Sequence, residues 1–384
     1  MKIQTVRHWL VHVPFSTEVL WGSGRRGGTT RLVVEITTES GIKGYGETIC
    51  LLDFIEPVLE NVVSKLAIGR SIQDAEKLHR HVLGAGYYHH KRAAVMAINA
   101  VEMAMWDALG KYANLPLHAL WGGLYRDKVE IAAFLAAGSA QTMRERTQAF
   151  KELGYRTFKV KLGLDEASDI TTVRTTREVL GDGLALRADV NGAWAIGTAK
   201  RQLAKLAEYD LTYIEQPLEL SDLTGHAHLR QSQAIPVALD ESAYDLTDVG
   251  NIVRLGAADV ILLDPHETGG LWPCIKAAAV AEASGIPVTL HSGGELGLSQ
   301  AAYLHLAGSI PNMTIPIDCE YAYIGQDIVT ERHVLAEGSM RVPTGPGLGV
   351  EVDLDRLEQF RITHVPMAYL DDQRPGWFTE KPAY

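Results

Sequence analysis

Cysteine is scarce: Cys50, Cys274 and Cys319 are the only three in 384 residues. They are scattered, odd in number and lack any C-x-x-C spacing, so neither a disulfide framework nor a zinc knuckle is indicated, and a reducing cytoplasm is the expected compartment. Basic charge is also short. Against 47 Asp and Glu stand 36 Lys and Arg, a net charge of −11, with no basic run. Phosphate backbones need a basic face, which excludes a nucleic-acid partner. No apolar stretch is long enough to span a bilayer, and the N-terminal MKIQTVRHWLVHVPF alternates like a strand. It has neither the apolar core nor the small-residue cleavage site of a signal peptide, so a soluble, unexported protein without a membrane partner is expected. Low-complexity linkers are missing as well.

What is present is a chain with 46% hydrophobic content, too long for one small core, so a large and a smaller domain are expected. Residues 2–14 and Arg31–Glu39 read as strands, with a turn at Ser40-Gly41 before Lys43-Gly44. Helices follow at Ile55–Ala67, Ile72–Leu83 and Lys91–Tyr112, the last with Ala97, Val101, Met105 and Leu109 on one stripe. Residues 1–125 thus read as an α+β domain. From 126 to 340 the pattern becomes strand, loop, helix, repeated. Strands are expected at Val129–Phe134, Thr157–Lys161, Ala185–Val190, Thr212–Glu215, Val237–Asp240, Val260–Asp264, Val288–His291 and Ile315–Asp318. Their spacing, roughly 24 to 28 residues, is that of one β-α unit of an eight-fold barrel. A doubly wound sheet gives the same alternation, so the polar residues must decide. Residues 341–384 open with the turn-rich PTGPGLG (343–349), without the lysine of a phosphate-binding loop, and are expected to return to the first domain.

Barrel enzymes carry their chemistry at the C-terminal strand ends. Here six consecutive expected strands end in charged residues: KVK (159–161), DVN (189–191), EQP (215–217), DES (240–242), DPH (264–266) and HSG (291–293). Singly, each has a bland explanation as a solvated strand end, turn or cap. In sequence they favour the barrel. Three carboxylates, Asp189, Glu215 and Asp240, converge from adjacent strands and require a cation, and an all-oxygen set without cysteine favours Mg²⁺, with Mn²⁺ as the other candidate. Asp240 and Glu241 are neighbours pointing to opposite faces, so one ligates; Asp240 is chosen, with Glu241 the alternate. A metal on a substrate carboxylate stabilises the enediolate left when the α proton is removed. Lys161 is the expected base, with Lys159 adding positive charge beside it, and Asp264 is expected to orient His291 as the opposing acid.

Together these segments resemble the mandelate racemase and muconate lactonizing enzyme branches of the enolase superfamily. GYGE (44–47), MWDALGK (105–111), LWGG (120–123) and PTGPGLGV extend the resemblance over nearly the whole chain. It implies a modified (β/α)₇β barrel, closed by a cap made of the N-terminal part and the C-terminal segment, and a homo-oligomer. It also implies Lys161 as base, Asp189 and Glu215 as metal ligands, Asn191 as a polar partner near the ion, and Asp318 or Glu320 as the acid meeting the substrate carboxylate. The chain is a mosaic: DES matches the lactonizing branch, whereas Asp264 with His291 matches the racemase branch. In this family the cap selects the substrate, and the segment from Thr17 to Gly28 reads as a glycine-rich lid in which Trp21, Arg25 and Arg26 meet it, an arginine holding a distal carboxylate. A small carboxylate is the expected partner. Dehydration of an acid sugar, an aldonate or aldarate, is the leading expectation; racemisation or epimerisation and cycloisomerisation are the alternatives, and a metal-dependent binding protein without turnover is the remote one.

Overall fold

The computed structural model describes residues 1–21 and 24–366; Gly22 and Ser23 of the expected lid and the end of the chain from 367 lie outside. Strands β1 (Ile3–Trp21), β2 (Gly24–Thr38) and β3 (Lys43–Ile49) form an antiparallel sheet. The expected strands prove longer. Val19 pairs with Arg26, Leu20 with Arg25 and Trp21 with Gly24, so the segment read as a glycine-rich lid continues the hairpin of β1 and β2. The helix Lys91–Ala113 packs its stripe of Ala97, Val101 and Met105 against Leu32, Val34 and Ile36 of that sheet, all fully buried. Each such Val, Leu or Ile contributes roughly 1.5–3 kcal/mol. The GYGE glycines make this approach possible. A Cβ on Gly44 or Gly46 would come within 2.0 Å of the carbonyl oxygens of Ala104 and Ala100 on the helix.

The remainder forms the barrel. Expected strand 129–134 splits: β4 (Lys128–Glu130) pairs antiparallel with β12 (Ser339–Arg341), while β5 (Ala133–Leu135) enters the parallel sheet. After it come β6 (Thr157–Lys161), β7 (Ala185–Asp189), β8 (Leu211–Glu215), β9 (Val237–Leu239), β10 (Val260–Leu263) and β11 (Val288–Leu290), neighbours in chain order. The eighth segment, expected as strand 315–318, is not a regular strand. Pro316 has no N–H to give a ladder. Single contacts close the ring instead: Ile317 N to Glu130 O, Ala132 N to Ile317 O, and Asp318 N to Leu290 O. The architecture is thus the modified barrel with an α+β cap.

Buried polar contacts join the two parts. Glu47 of β3 accepts from Arg31 Nε at 2.6 Å and from the backbone N–H groups of Leu296 and Ser299 beyond β11. Arg31 Nη2 reaches His266 Nε2 at 2.6 Å. Glu102 of the long helix accepts from the N–H groups of Leu271 and Trp272, capping the barrel helix Leu271–Glu282. Asp107, from MWDALGK, accepts from Leu348 N in PTGPGLG, and Ile362 N donates to Leu10 O of β1.

Candidate active site

The parallel register sets Lys161 opposite Asp189 and Asp189 opposite Glu215, one row across three strands. Strand neighbours lie about 4.8 Å apart, so charges in one row must interact. Lys161 Nζ sits 2.5 Å from Asp189 Oδ2 and 3.1 Å from Asn191 Oδ1. Lys159, two residues earlier on the same face, lies 2.5 Å from Glu215 Oε1, 2.6 Å from Asp318 Oδ2 and 3.0 Å from Asp189 Oδ2. Three carboxylates therefore enclose Lys159, the lysine expected to add positive charge beside Lys161, and compensate its charge in place. Burial opposes its charged form, yet those acids outweigh burial and hold its pKa well above the usual lysine value.

The same competition separates two acids. Burial penalises ionised Asp189, but Lys159 and Lys161 together overcome it and keep its carboxyl well below the usual range. Glu215, buried and facing Asp189, Asp318 and Asp240, is pushed well above. Glu241 is raised to about 7 by burial and then by Asp240 and Asp189. Four carboxylate oxygens in this group, Glu215 Oε2, both Oδ of Asp240 and Glu241 Oε2, are buried with no hydrogen-bond partner. Unpartnered buried carboxylate oxygens are costly and call for a cation. The donor chemistry suits a hard divalent ion. Asp240 and Glu241 do not diverge as strand alternation predicts, because β9 ends at Leu239 and both lie beyond it. Glu241 faces the cavity and accepts from Asn191 Nδ2 at 2.9 Å. A second compact donor group, Glu215, His291 and Asp318, has one atom from each within 4.8 Å. Asp318, however, is already engaged by Lys159 and by the buried Arg187.

His291 follows β11, with Nδ1 2.8 Å from Asp240 Oδ2 at an angle short of a hydrogen bond. The expected orienting partner was Asp264, and here the structure differs. Asp264 Oδ1 accepts from Tyr303 Oη and from His266 N, both at 2.7 Å, as the cap of a short helical turn at Pro265–Thr268. Among the described residues the carboxylate at ion-pair distance from His291 is Asp240. Burial disfavours the imidazolium, but Asp240, Asp264 and Glu267 outweigh it and raise the His291 pKa well above its usual value. Asp264 itself is raised to about 6, chiefly by burial.

Lys161, Asn191, Glu241, Asp264, Glu267, His291 and Glu320 line a cavity of about 490 Å³ that the cap roofs with Val19, Trp21, Ile49, Leu51, Leu52, Phe54 and Met96. Glu320 faces the cavity and is held by Arg26, whose Nη1 also donates to Gly293 O at 2.9 Å. Arg25 is not among the lining residues: neighbours on a strand point to opposite faces, and Arg26 takes the inward one. Three positions at or beside the cavity escaped the sequence reading. Gln216 joins EQP to DES, its Oε1 accepting from Asp240 N and Ser242 N and its Nε2 donating to Ser242 Oγ. Arg187 anchors Asp318, and Arg92 borders the cavity from the first turn of the helix Lys91–Ala113. Arg187 sits mid-strand, and only the residue types of EQP hinted at Gln216.

Residues 6–122 match the model of the mandelate racemase / muconate lactonizing enzyme N-terminal domain, and residues 142–356 match that of the enolase C-terminal domain-like family. The chain belongs to the enolase superfamily. Within this superfamily it is 32% identical over 364 residues to an N-succinylamino acid racemase of Amycolatopsis sp, covering 91% of this chain and 95% of that one. It is 30% identical over 367 residues to the Streptomyces coelicolor protein named "Probable glucarate dehydratase", covering 86% and 84%. The crystal structure of an isomerase from Streptomyces coelicolor A3(2) superposes with a TM-score of 0.85 at 34% identity, covering 94% of this chain and 98% of that one. The protein is therefore an enolase-superfamily enzyme, from a set of relatives that includes both racemases and dehydratases.

Proposed function

We propose that this enzyme abstracts the proton α to a carboxylate and eliminates water from a hydroxylated acid, giving a 2-keto-3-deoxy acid. The observation carrying this reading is that Lys161 and His291 line one cavity together with Glu241, Glu267 and Glu320, acids beyond those a base and a metal need. Carboxyl groups of raised pKa, such as Glu241, exchange protons and hydrogen bonds with hydroxyls. Asp189, Glu215 and Asp240 would hold Mg²⁺, with Mn²⁺ as its substitute, and Asn191 would steady Glu241 beside them. When bound, the ion supplies Lewis-acid stabilisation of negative charge on the substrate carboxylate. Lys161, positioned by Asp189 and Asn191, takes the α proton. His291 delivers a proton to the departing hydroxyl. Lys159 holds Asp189, Glu215 and Asp318 in register, and Glu320, fixed by Arg26, faces the same cavity beside the substrate.

A second reading, 1,1-proton transfer by a racemase or epimerase, draws on the cap. Leu51, Leu52, Phe54 and Met96 offer a sugar's hydroxyls nothing to bond, and suit an acid with an apolar body. One assay separates the two. The purified protein with Mg²⁺ is incubated in D₂O with acid sugars and N-acyl amino acids. Keto product, read as semicarbazone absorbance, supports dehydration, and α-deuteration without it supports proton transfer alone. Neither signal with any substrate refutes both.

A further inference from the structure

Among the described residues, the cavity roof contains one cation that no carboxylate pairs with. Lys161 is spoken for by Asp189 and Asn191, and Arg26 by Glu320 and Gly293 O. Arg92 is different. Its guanidinium stacks on the Tyr244 ring, 4.2 Å from the centroid, and among the described residues no carboxylate lies within ion-pair distance. Asp245 pairs with Lys91, and Asp248, which accepts from the backbone N–H of Asp245 at 3.1 Å, feels the charges of Lys91 and Arg92 without forming an ion pair with Arg92. Stacking fixes the plane of the guanidinium while leaving its N–H edge available, the arrangement that receives a carboxylate with two parallel hydrogen bonds. Arg92 also occupies a junction. With Phe54, Ala93 and Tyr244 it borders both the catalytic cavity and an outer cavity of about 800 Å³.

We propose that Arg92, stacked on Tyr244, is the subsite for a second carboxylate at the far end of the substrate, so that the enzyme acts on dicarboxylic acids. This rests on the proposed α-proton chemistry, which places the first carboxylate on the floor. The role foreseen for Arg25 or Arg26 passes to a residue on the N-terminal turn of the long helix, because Arg26 is consumed by Glu320. Arg92 is solvent-exposed where it borders the cavity beside Phe54 and Met96, so the fork geometry, more than exclusion of water, is what selects the carboxylate.

The test measures kcat/KM, by α-deuteration and keto formation, on matched pairs that differ only in the distal group: D-glucarate against D-gluconate, galactarate against galactonate, and N-succinyl against N-acetyl amino acids. The diacid is expected to exceed its partner, and Arg92→Met to cut that ratio by about tenfold to a hundredfold, the range for a charge-assisted bond. Arg92→Lys, which keeps the charge without the fork, should recover part of it. A ratio that Arg92→Met leaves in place, in a variant whose unfolding midpoint and slow α-deuteration show an intact fold and floor, overturns the subsite. Absence of α-deuteration for every pair in the unmodified enzyme overturns the proton chemistry itself, a result distinguishable from the first.

Discussion

The floor and the roof of the cavity are built on opposite principles. On the floor, Lys159, Lys161, Asp189 and Glu215 come from neighbouring parallel strands, are buried, and constrain one another through contacts of 2.5 to 3.0 Å, with Asp240 just past the end of β9 at 2.8 Å from His291. The roof takes Trp21 and Arg26 from a hairpin, Leu51, Leu52 and Phe54 from a connecting segment and Arg92 and Met96 from a helix, mostly apolar and joined by few polar contacts. A row of fixed charges prescribes one electrostatic event, whereas an apolar wall with a single guanidinium outside any ion pair would discriminate among acids. On the proposed reading, reaction and selectivity are divided between barrel and cap.

That division breaks most visibly at Lys161. Lys161→Ala should lower α-deuteration by roughly 10²–10⁴-fold for every substrate alike, as followed by proton NMR; a loss confined to some substrates would blur floor into roof. His291→Asn sharpens the point, since it should suppress keto product by about 10²-fold while α-deuteration persists. Chelation of divalent metal should abolish turnover and also lower the unfolding midpoint, because Glu215 and Asp240 regain unpartnered charge. Restoring Mg²⁺ at a hundred times its Kd should return about 2.7 kcal/mol, and Asp240→Asn should remove most of that response in a thermal scan.

Smaller effects belong to the seam. Glu47→Gln leaves Arg31 buried without its counter-charge and should cost roughly 3–5 kcal/mol in denaturant unfolding. Glu102 provides a pH signature remote from the metal ligands. Burial raises its pKa from 4.5 to about 7, against the opposing hydrogen bonds from Trp272, Leu271 and Trp106. The folded state therefore binds this proton more tightly than the unfolded chain does. Its contribution is fully present below pH 4.5 and is lost as pH rises through about 7, with a limiting slope of about 1.4 kcal/mol for each unit of pH. Unfolding midpoints across the mildly acidic to neutral range should fall more steeply for the unmodified protein than for Glu102→Gln.

Strand-end residues were legible because a parallel barrel repeats on a fixed period and places each strand's last residues at one mouth. Lys161, Asp189 and Glu215 adjoin as that period implies, and the Ala97, Val101, Met105 stripe faces the cap core for the same reason. Where the chain leaves a strand, alternation stops governing direction. Asp240 and Glu241 both reach the site, and Asp264 turns to cap its own helical turn rather than meet His291. The broken first strand and the proline-interrupted eighth segment depended on pairing partners more than a hundred residues away.

The order of residues alone thus determined the class of fold, the row of charged strand ends and the family, because periodicity and motif spacing are local properties of a chain. Only the tertiary structure decided which acid approaches His291, that Arg26 is consumed by Glu320, and that Arg92 stacks on Tyr244 outside any ion pair. These outcomes depend on which groups from distant segments come within a few ångströms, and Coulomb energies at that range outweigh anything the spacing along the chain encodes.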